Sequence, residues 1–137
     1  MSSAHGSAWP RILPGVVAAL VFSLAGEGPA RAEGDAAAGE KVFRACAACH
    51  SVEAGKHKIG PSLFGVVGRT PGTADVYKYS DAMKAFGQDG KVWDEAALAA
   101  YLGDPRGIVK GTRMAFPGLK AAGDRENVIA YLKSKAR

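Results

Sequence analysis

The only two cysteines of the chain lie in residues 44–51, which read RACAACHS. Two residues separate Cys46 from Cys49, and His50 follows the second cysteine directly. Two thiols and an imidazole held within so few residues indicate one shared site of chemistry rather than three independent side chains.

Three uses of such a cluster fit the rest of the sequence poorly. A structural zinc site usually takes four protein ligands, yet the chain has no second pair of cysteines and, after His50, only His57. A thioredoxin-like redox pair follows a strand and opens a helix, whereas this pair ends a predicted helix. A disulfide between residues so close together would constrain little of the chain, although export would permit oxidation.

The fourth use, covalent attachment of haem, fits well. Two thiols at this spacing add to the two vinyl groups of a porphyrin, and the adjacent histidine is carried to the iron; C-x-x-C-H is the signature of this attachment. We therefore predict one haem c, bound by Cys46 and Cys49, with His50 as a metal ligand. A haem would also order two irregular loops of about 20 residues, which are otherwise unusual in a compact domain.

The sixth iron position has three candidates in the sequence. His57 follows the attachment site closely and is expected to be a loop or surface histidine. Met83 falls in a short predicted helix with Phe86 and is expected to pack there. Met114 lies mid-loop in GTRMAF, where a thioether is free to be aimed, and we predict it as the second ligand. A His/Met pair raises the reduction potential and favours one-electron transfer.

The hydrophobic pattern predicts an all-α fold of three to four short helices. No segment alternates as a strand, and long loops are expected to wrap around the one haem. Gly39 inside the first helix costs about 1 kcal/mol against alanine, which suggests a close approach by another element. The helices are predicted, from caps and apolar periodicity, over residues 35–48, 80–86, 94–102 and 124–136.

The first 32 residues differ from the rest of the 137-residue chain. A short opening ends at Arg11, an apolar stretch covers residues 12–25, and residues 30–32 form an A-x-A cleavage pattern. This layout predicts a secretory signal peptide over residues 1–32. A monohaem domain is then expected over residues 33–137, starting at Glu33 in the periplasm. An uncleaved membrane anchor is the alternative.

The charge of the chain is mildly basic. The net charge is +5 and the pI is about 9.4. Because the sequence has no block of five or six like charges, it does not indicate a nucleic-acid-binding arm.

Taken together, these features resemble class I cytochrome c, in the mitochondrial-like branch that includes soluble bacterial carriers. The resemblance covers residues 34–135. Two positions differ from the family pattern: Lys110 replaces a proline, and Met83 replaces an asparagine. The matching segments are GEKVF, CAACHS, KIGPSLFGVVGR, YS, VW, LAAYLGDPR, GTRMAF and VIAYLKSKA.

The resemblance implies roles for further residues. The terminal helices would cross at Gly39, Phe43 and Tyr131. The Pro61 carbonyl would orient the ligand histidine. The remaining cofactor-binding residues implied are Arg69, Tyr79 and Trp93 near the haem propionates, and Tyr101, Thr112 and Phe116 around the methionine.

The resemblance also implies a function. The chain would be a monomeric, periplasmic one-electron carrier rather than an enzyme, with no catalytic residues. Its partners would be membrane redox complexes, such as a quinol:cytochrome c oxidoreductase, a terminal oxidase or a photosynthetic reaction centre, or periplasmic dehydrogenases or reductases. The family steers onto acidic partners with a ring of basic residues, here Lys56, Lys58, Lys110, Arg113 and Lys120. A haem enzyme or gas sensor with a labile methionine is the alternative.

Overall fold

The computed structural model of the protein describes residues 1, 3, 6 and 33–136. The chain divides into two compact units, Met1–Ala30 and Arg31–Arg137, and the second holds every helix described below. The predicted signal peptide lies outside the described residues, apart from residues 1, 3 and 6. Within the described part, no helix combines the length and the apolar character that crossing a membrane requires.

Five helices and no strand are present among the described residues, in agreement with the predicted all-α class. Three follow the sequence closely: Ser80 and Asp94 cap two helices as their sequences suggest, and the last helix carries the expected apolar residues. The helices are α1 (Ala36–Phe43), α2 (Asp81–Phe86), α3 (Glu95–Gly103), α4 (Pro105–Ile108) and α5 (Ala122–Ser134).

Two predictions of helix position were wrong. The first helix ends at Phe43 rather than Ala48, because residues 44–49 form tight turns in which Ala45 and Cys46 bond to carbonyls three residues back. The one-turn helix α4 was missed. Asp104 caps it by accepting from the Gly107 N–H at 3.0 Å, and Pro105 occupies its first turn, where a proline loses no hydrogen bond.

Helices α1 and α5 pack closely against each other, which explains the glycine in α1. A Cβ at Gly39 would overlap the backbone carbonyl of Asn127 and crowd Tyr131. The rings of Phe43 and Tyr131 lie next to each other, with centroids 5.3 Å apart. The expected crossing of the terminal helices at Gly39, Phe43 and Tyr131 is therefore confirmed, and the helix-propensity cost of the glycine is offset by close packing.

Helix α3 completes the core between α5 and the loops. It buries Leu98, Tyr101 and Leu102, and packs against both α4 and α5. Trp93, just before α3, is 6% exposed, and its ring lies 4.9 Å from that of Tyr101. Because Cys46 and Met114 both pack against this core, the core brings together two loops that are 68 residues apart in the sequence.

Candidate functional site

The cysteine–histidine cluster lies on the tight turn that follows α1. The N–H groups of Cys49 and His50 both donate to the Cys46 carbonyl, at 3.0 and 2.9 Å. This closes one turn, so the two cysteines lie close together, with His50 directly beyond. Both cysteines are partly buried, and they are not paired in a disulfide. Burial, with a smaller contribution from Cys49, raises the pKa of Cys46.

His50 is held in one orientation. The Nδ1 atom lies 2.8 Å from the Pro61 carbonyl, as the resemblance implied. Because a carbonyl only accepts, Nδ1 carries the proton and Nε2 is the nitrogen left to bind a metal. Gly60 lies against the imidazole so closely that a Cβ there would overlap the ring. The histidine is therefore fixed on one side by a hydrogen bond and on another by the backbone.

The surroundings of His50 keep it neutral. The side chain is 9% exposed. Burial lowers its pKa, and the charge of Lys58 lowers it further, while the hydrogen bond to Pro61 acts in the opposite direction. A neutral imidazole is the form that ligates metals.

The loop that carries Met114, residues 111–116, is called the methionine loop, and it presents alternate residues inward. Thr112, Met114 and Phe116 are partly buried, whereas the residues between them are exposed. An extended backbone places alternate side chains on the same face. The Thr112 side chain accepts from the Met114 N–H at 3.2 Å, which fixes the loop next to the sulfur.

Tyr101 fixes the methionine sulfur from α3. Its hydroxyl donates to Met114 Sδ at 3.3 Å and lies 3.4 Å from Thr112 Oγ1. Burial raises the pKa of Tyr101, against the hydrogen bond from Thr112, so the phenol stays protonated and able to donate. The sulfur keeps a second lone pair for a metal. The placement of Tyr101 and Thr112 beside Met114 thus agrees with the resemblance.

The other predicted residues form a second group. Arg69 donates to the carbonyls of Phe64 and Ser62 at 3.0 and 3.1 Å, and its backbone pairs with that of Trp93 at 2.9 Å. Burial raises the pKa of Tyr79, and the charge of Arg69 acts against that rise. Arg69, Tyr79 and Trp93 are therefore neighbours, which is consistent with the role the resemblance gives them.

The two rejected ligand candidates, Met83 and His57, make different kinds of contact. Met83 packs in α2 against the core, as expected. His57 lies in a loop, also as expected, but its ring makes two hydrogen bonds: Nδ1 accepts from the Ser62 N–H at 3.0 Å, and Nε2 lies 2.8 Å from the Asp75 carbonyl. The sequence contains no local signal for this bridging role, because its partners are backbone groups distant in the chain.

The donor set fits a haem iron better than an ion held by protein alone. In the part of the chain that the structure describes, no cluster of three or more His, Cys, Asp or Glu side chains is placed to hold a metal. The oriented histidine and methionine offer one nitrogen and one sulfur. A porphyrin supplies the other four iron ligands, and the paired thiols are spaced for its vinyl groups.

Comparison with known proteins agrees with this geometry. The family described as "Cytochrome c" matches residues 36–136. Cytochrome c2 iso-2 of Magnetospirillum fulvum is 52% identical over 93 residues, which are 68% of this chain and 94% of that protein. Cytochrome c-554 of Methylosinus trichosporium is 44% identical over 118 residues, 85% of this chain and 86% of that protein.

A solved structure supports the same assignment. Cytochrome cH from Methylobacterium extorquens superposes with a TM-score of 0.68 at 48% identity, over 74% of this chain and 99% of that chain. The predicted resemblance, all-α fold and haem c are thus confirmed. The chain belongs to the cytochrome c family, carries a covalently attached haem c and is an electron carrier.

Proposed function

We propose that the chain carries single electrons in the periplasm, with His50 and Met114 as the two axial ligands of its haem. The observation that carries the proposal is that hydrogen bonds within the chain orient both side chains. His50 is fixed by the Pro61 carbonyl at 2.8 Å, and Met114 by the Tyr101 hydroxyl at 3.3 Å. Cys46 and Cys49 would form the two thioether bonds.

When bound, the haem supplies an iron that cycles between the ferric and ferrous states. The contribution of the chain is to keep the iron surroundings the same in both states. His50 cannot turn without losing its bond to Pro61 and striking Gly60. Tyr101 and Thr112 restrain the sulfur and its loop. Two retained ligands leave no open position for oxygen chemistry.

Buried aromatic residues keep water away from this site. Trp93 lies between Phe86 and Tyr101, with ring centroids 5.4 and 4.9 Å away. Trp93 and Tyr101 are each 6% exposed. A dry, closely packed surrounding reorganises little when the iron charge changes, and it favours a higher reduction potential.

The partners we propose are redox proteins with acidic docking surfaces, either membrane complexes or periplasmic enzymes. Exposed cations lie on both loops: Lys58 donates to the Ala47 carbonyl at 2.6 Å, and Arg113 precedes Met114. Lys56 is partly neutralised by Glu53 at 2.8 Å. Because exposed charges are screened by salt, the rate of electron transfer to such a partner should fall as ionic strength rises.

The ligand assignment is tested by replacing Met114 and Met83 with leucine in separate variants. Met114→Leu in the holoprotein should lower the reduction potential and let ferric iron bind imidazole or azide readily. Met83→Leu is the matched control and should change neither greatly, since Met83 packs in α2. The reverse pattern would assign the sixth position to Met83. If the unmodified protein binds imidazole or azide as readily as Met114→Leu does, the result would favour a ligand-binding haem protein.

The location is tested separately. We propose that the chain is exported and cleaved before Glu33. N-terminal sequencing of the periplasmic fraction should give Glu33 as the first residue. Recovery of the chain in the membrane fraction, with Met1 retained, would instead indicate an anchored carrier.

A further inference from the structure

The residues that directly follow the predicted cleavage bond lie along α5. They are Glu33, Gly34 and Asp35, named here the 33–35 segment. Gly34 is so close to α5 that a Cβ there would overlap the backbone of Glu126 and Asn127. The Asp35 N–H donates to the Asn127 side-chain oxygen at 2.8 Å, across 92 residues of sequence. Because the first residues of a domain are usually poorly ordered, this attachment to a distant helix is unusual.

Asn127 links the 33–35 segment to the packing of the two terminal helices. Its side chain binds Asp35, and its backbone carbonyl lies where a Cβ on Gly39 of α1 would be. Asp35 also caps α1: its carboxylate accepts from the N–H groups two and three residues ahead, and its carbonyl accepts from the Gly39 N–H at 2.8 Å. The segment therefore reaches its place on α5 when α1 packs there.

Glu33 adds a weaker contact. Its Oε1 lies 3.8 Å from Lys133 Nζ, and Lys133 also bonds to Glu95 of α3 at 2.5 Å. The Glu33 side chain is 91% exposed, and an exposed ion pair contributes little to stability. The attachment of the segment therefore depends mainly on Gly34 and Asp35.

These contacts use the backbone that a peptidase needs. A bound peptide commonly lies extended and pairs its backbone N–H and C=O groups with the protein that holds it. For hydrolysis between residues 32 and 33, the 33–35 segment forms the carboxyl side of that peptide. In the folded chain, Gly34 packs against α5, and the N–H and C=O of Asp35 are both bonded. A signal peptidase can therefore bind the segment only after it leaves α5.

We infer that hydrolysis of the Ala32–Glu33 bond precedes the packing of α1 on α5. In this step water adds across the peptide bond, which leaves a carboxylate on Ala32 and an amino group on Glu33. A chain that packs α1 against α5 first hides the segment and keeps residues 1–32. The cleaved and the anchored carrier are therefore alternative products of one competition between cleavage and folding. The inference rests on the proposed function, in which the chain is cleaved before Glu33.

The experiment follows cleavage of the full-length holoprotein, accumulated in cells depleted of signal peptidase. Purified signal peptidase in detergent micelles is added, and the rate at which a chain beginning at Glu33 appears is measured. Asn127→Ala removes the acceptor of the Asp35 N–H. We expect it to raise the cleavage rate about fivefold, the effect of one lost hydrogen bond.

Ser80→Ala is the matched control. It also removes a polar side chain that accepts one backbone N–H, from Met83 at 3.2 Å. Because Ser80 caps α2 and leaves the 33–35 segment unchanged, the cleavage rate should stay within about twofold of the parent rate.

The haem-free double variant Cys46→Ala/Cys49→Ala is the open reference. Its loops lack the group around which they pack, and the loss of such a group is coupled to unfolding. Since proteolysis follows the population of the open chain, we expect this variant to be cleaved at least about tenfold faster than the parent holoprotein.

Amide hydrogen exchange at Asp35 is a second readout, and it does not involve the peptidase. The Asp35 N–H is protected by its bond to Asn127. We expect it to exchange faster in Asn127→Ala than in Ser80→Ala or the parent holoprotein.

The outcomes separate the inference from the proposed function. Equal cleavage rates in the parent and the haem-free chain would overturn the inference, because folding would then not hide the segment. Faster exchange at Asp35 without faster cleavage in Asn127→Ala would also overturn it. An equal acceleration by Asn127→Ala and Ser80→Ala would do the same, since cleavage would then follow global unfolding. If no chain is cut before Glu33, the haem-free one included, the proposed cleavage itself fails and the inference fails with it.

Discussion

The two loops that carry His50 and Met114 are built differently. His50 lies in the same turn as both cysteines, is 9% exposed, and is enclosed by Gly60 and the Pro61 carbonyl. Met114 lies in an extended stretch whose alternate residues are exposed. Its sulfur is held by one hydroxyl, from Tyr101 at 3.3 Å.

This difference indicates on which side of the site substitutions can change the potential and the ligand exchange gradually. The histidine is fixed by the turn that it shares with the cysteines, by the Pro61 carbonyl and by packing against Gly60. A substitution next to His50 is therefore expected either to have no effect or to disrupt the fold. The methionine is fixed by a few side-chain hydrogen bonds, each worth about 1 kcal/mol. We therefore expect graded changes in potential and ligand exchange from the methionine side, and abrupt losses from the histidine side.

The largest effect is expected from Gly60→Ala. The added methyl group would overlap the His50 ring, so the histidine or the backbone must move, and we expect the free energy of unfolding to fall by about 3 kcal/mol. Chemical denaturation of the holoprotein measures this.

Gly123→Ala is the matched control for Gly60→Ala. A Cβ at Gly123, in the first turn of α5, meets nothing within 4 Å, and the change should raise stability by about 0.5 kcal/mol. Similar results for the two glycines would show that the histidine side is not closely packed, and the contrast between the loops would be lost.

A moderate effect is expected from Tyr101→Phe. The ring and its packing stay, but the hydrogen bond to Met114 Sδ and the contact with Thr112 are removed. Losing about 1 kcal/mol should raise the affinity of ferric iron for imidazole about fivefold and lower the free energy of unfolding by no more than about 1 kcal/mol.

Tyr131→Phe is the control for Tyr101→Phe, because the Tyr131 ring packs against Phe43 in the α1–α5 pair. It should leave imidazole affinity unchanged. An unchanged affinity in both variants would mean that the Tyr101 hydroxyl does not restrain the methionine.

The buried phenol of Tyr101 also predicts that the free energy of unfolding depends on pH in alkaline solution. Burial raises the pKa of Tyr101, so the phenol ionises at higher pH in the folded chain than in the unfolded chain. Its contribution to stability is complete below the unfolded pKa of about 10 and is lost as pH rises through the folded value. The unfolding free energy of the parent should therefore fall faster above about pH 10 than that of Tyr101→Phe. Parallel curves for the two proteins would contradict this assignment.

The smallest effect is expected in the irregular segment 74–79, whose Asp75 carbonyl is bonded to His57. Val76 has a φ of 57° and is 98% exposed, so Val76→Asn relieves backbone strain without loss of packing. Asparagine tolerates this conformation, and we expect the free energy of unfolding to rise by about 0.5 kcal/mol. Val92→Asn, at 43% exposure and outside the left-handed region, should give no gain. If the free energy of unfolding rises in both variants, or in neither, the inference that the Val76 backbone is strained would be contradicted.

The parts of the site that the sequence predicted are those with local signals. Cys46, Cys49 and His50 are adjacent in sequence, and Gly39 stands out because a glycine inside a helix is costly. The Pro61 and Tyr101 contacts followed only from the family resemblance, since nothing local brings residues 11 or 13 positions apart together. The caps at Ser80 and Asp94 predicted where two helices begin.

The parts that were missed depend on tertiary contacts or on weak local signals. The end of α1 was placed too late because the apolar pattern continues into turns that bond three residues back. Helix α4 was missed, although Asp104 followed by Pro105 is a start signal. His57 bonds to the Asp75 carbonyl and Arg113 to the Lys78 carbonyl. Because every residue has a backbone carbonyl, no sequence pattern identifies these contacts.

The central claim is that both axial positions of the haem are filled by the chain. It is tested most directly by a carbon monoxide difference spectrum of the reduced holoprotein near neutral pH. The account predicts no carbon monoxide binding in the unmodified protein and ready binding after Met114→Leu. Ready binding by the unmodified protein would mean that Met114 does not hold the sixth position, and the closed-site electron carrier would give way to a haem protein that binds ligands.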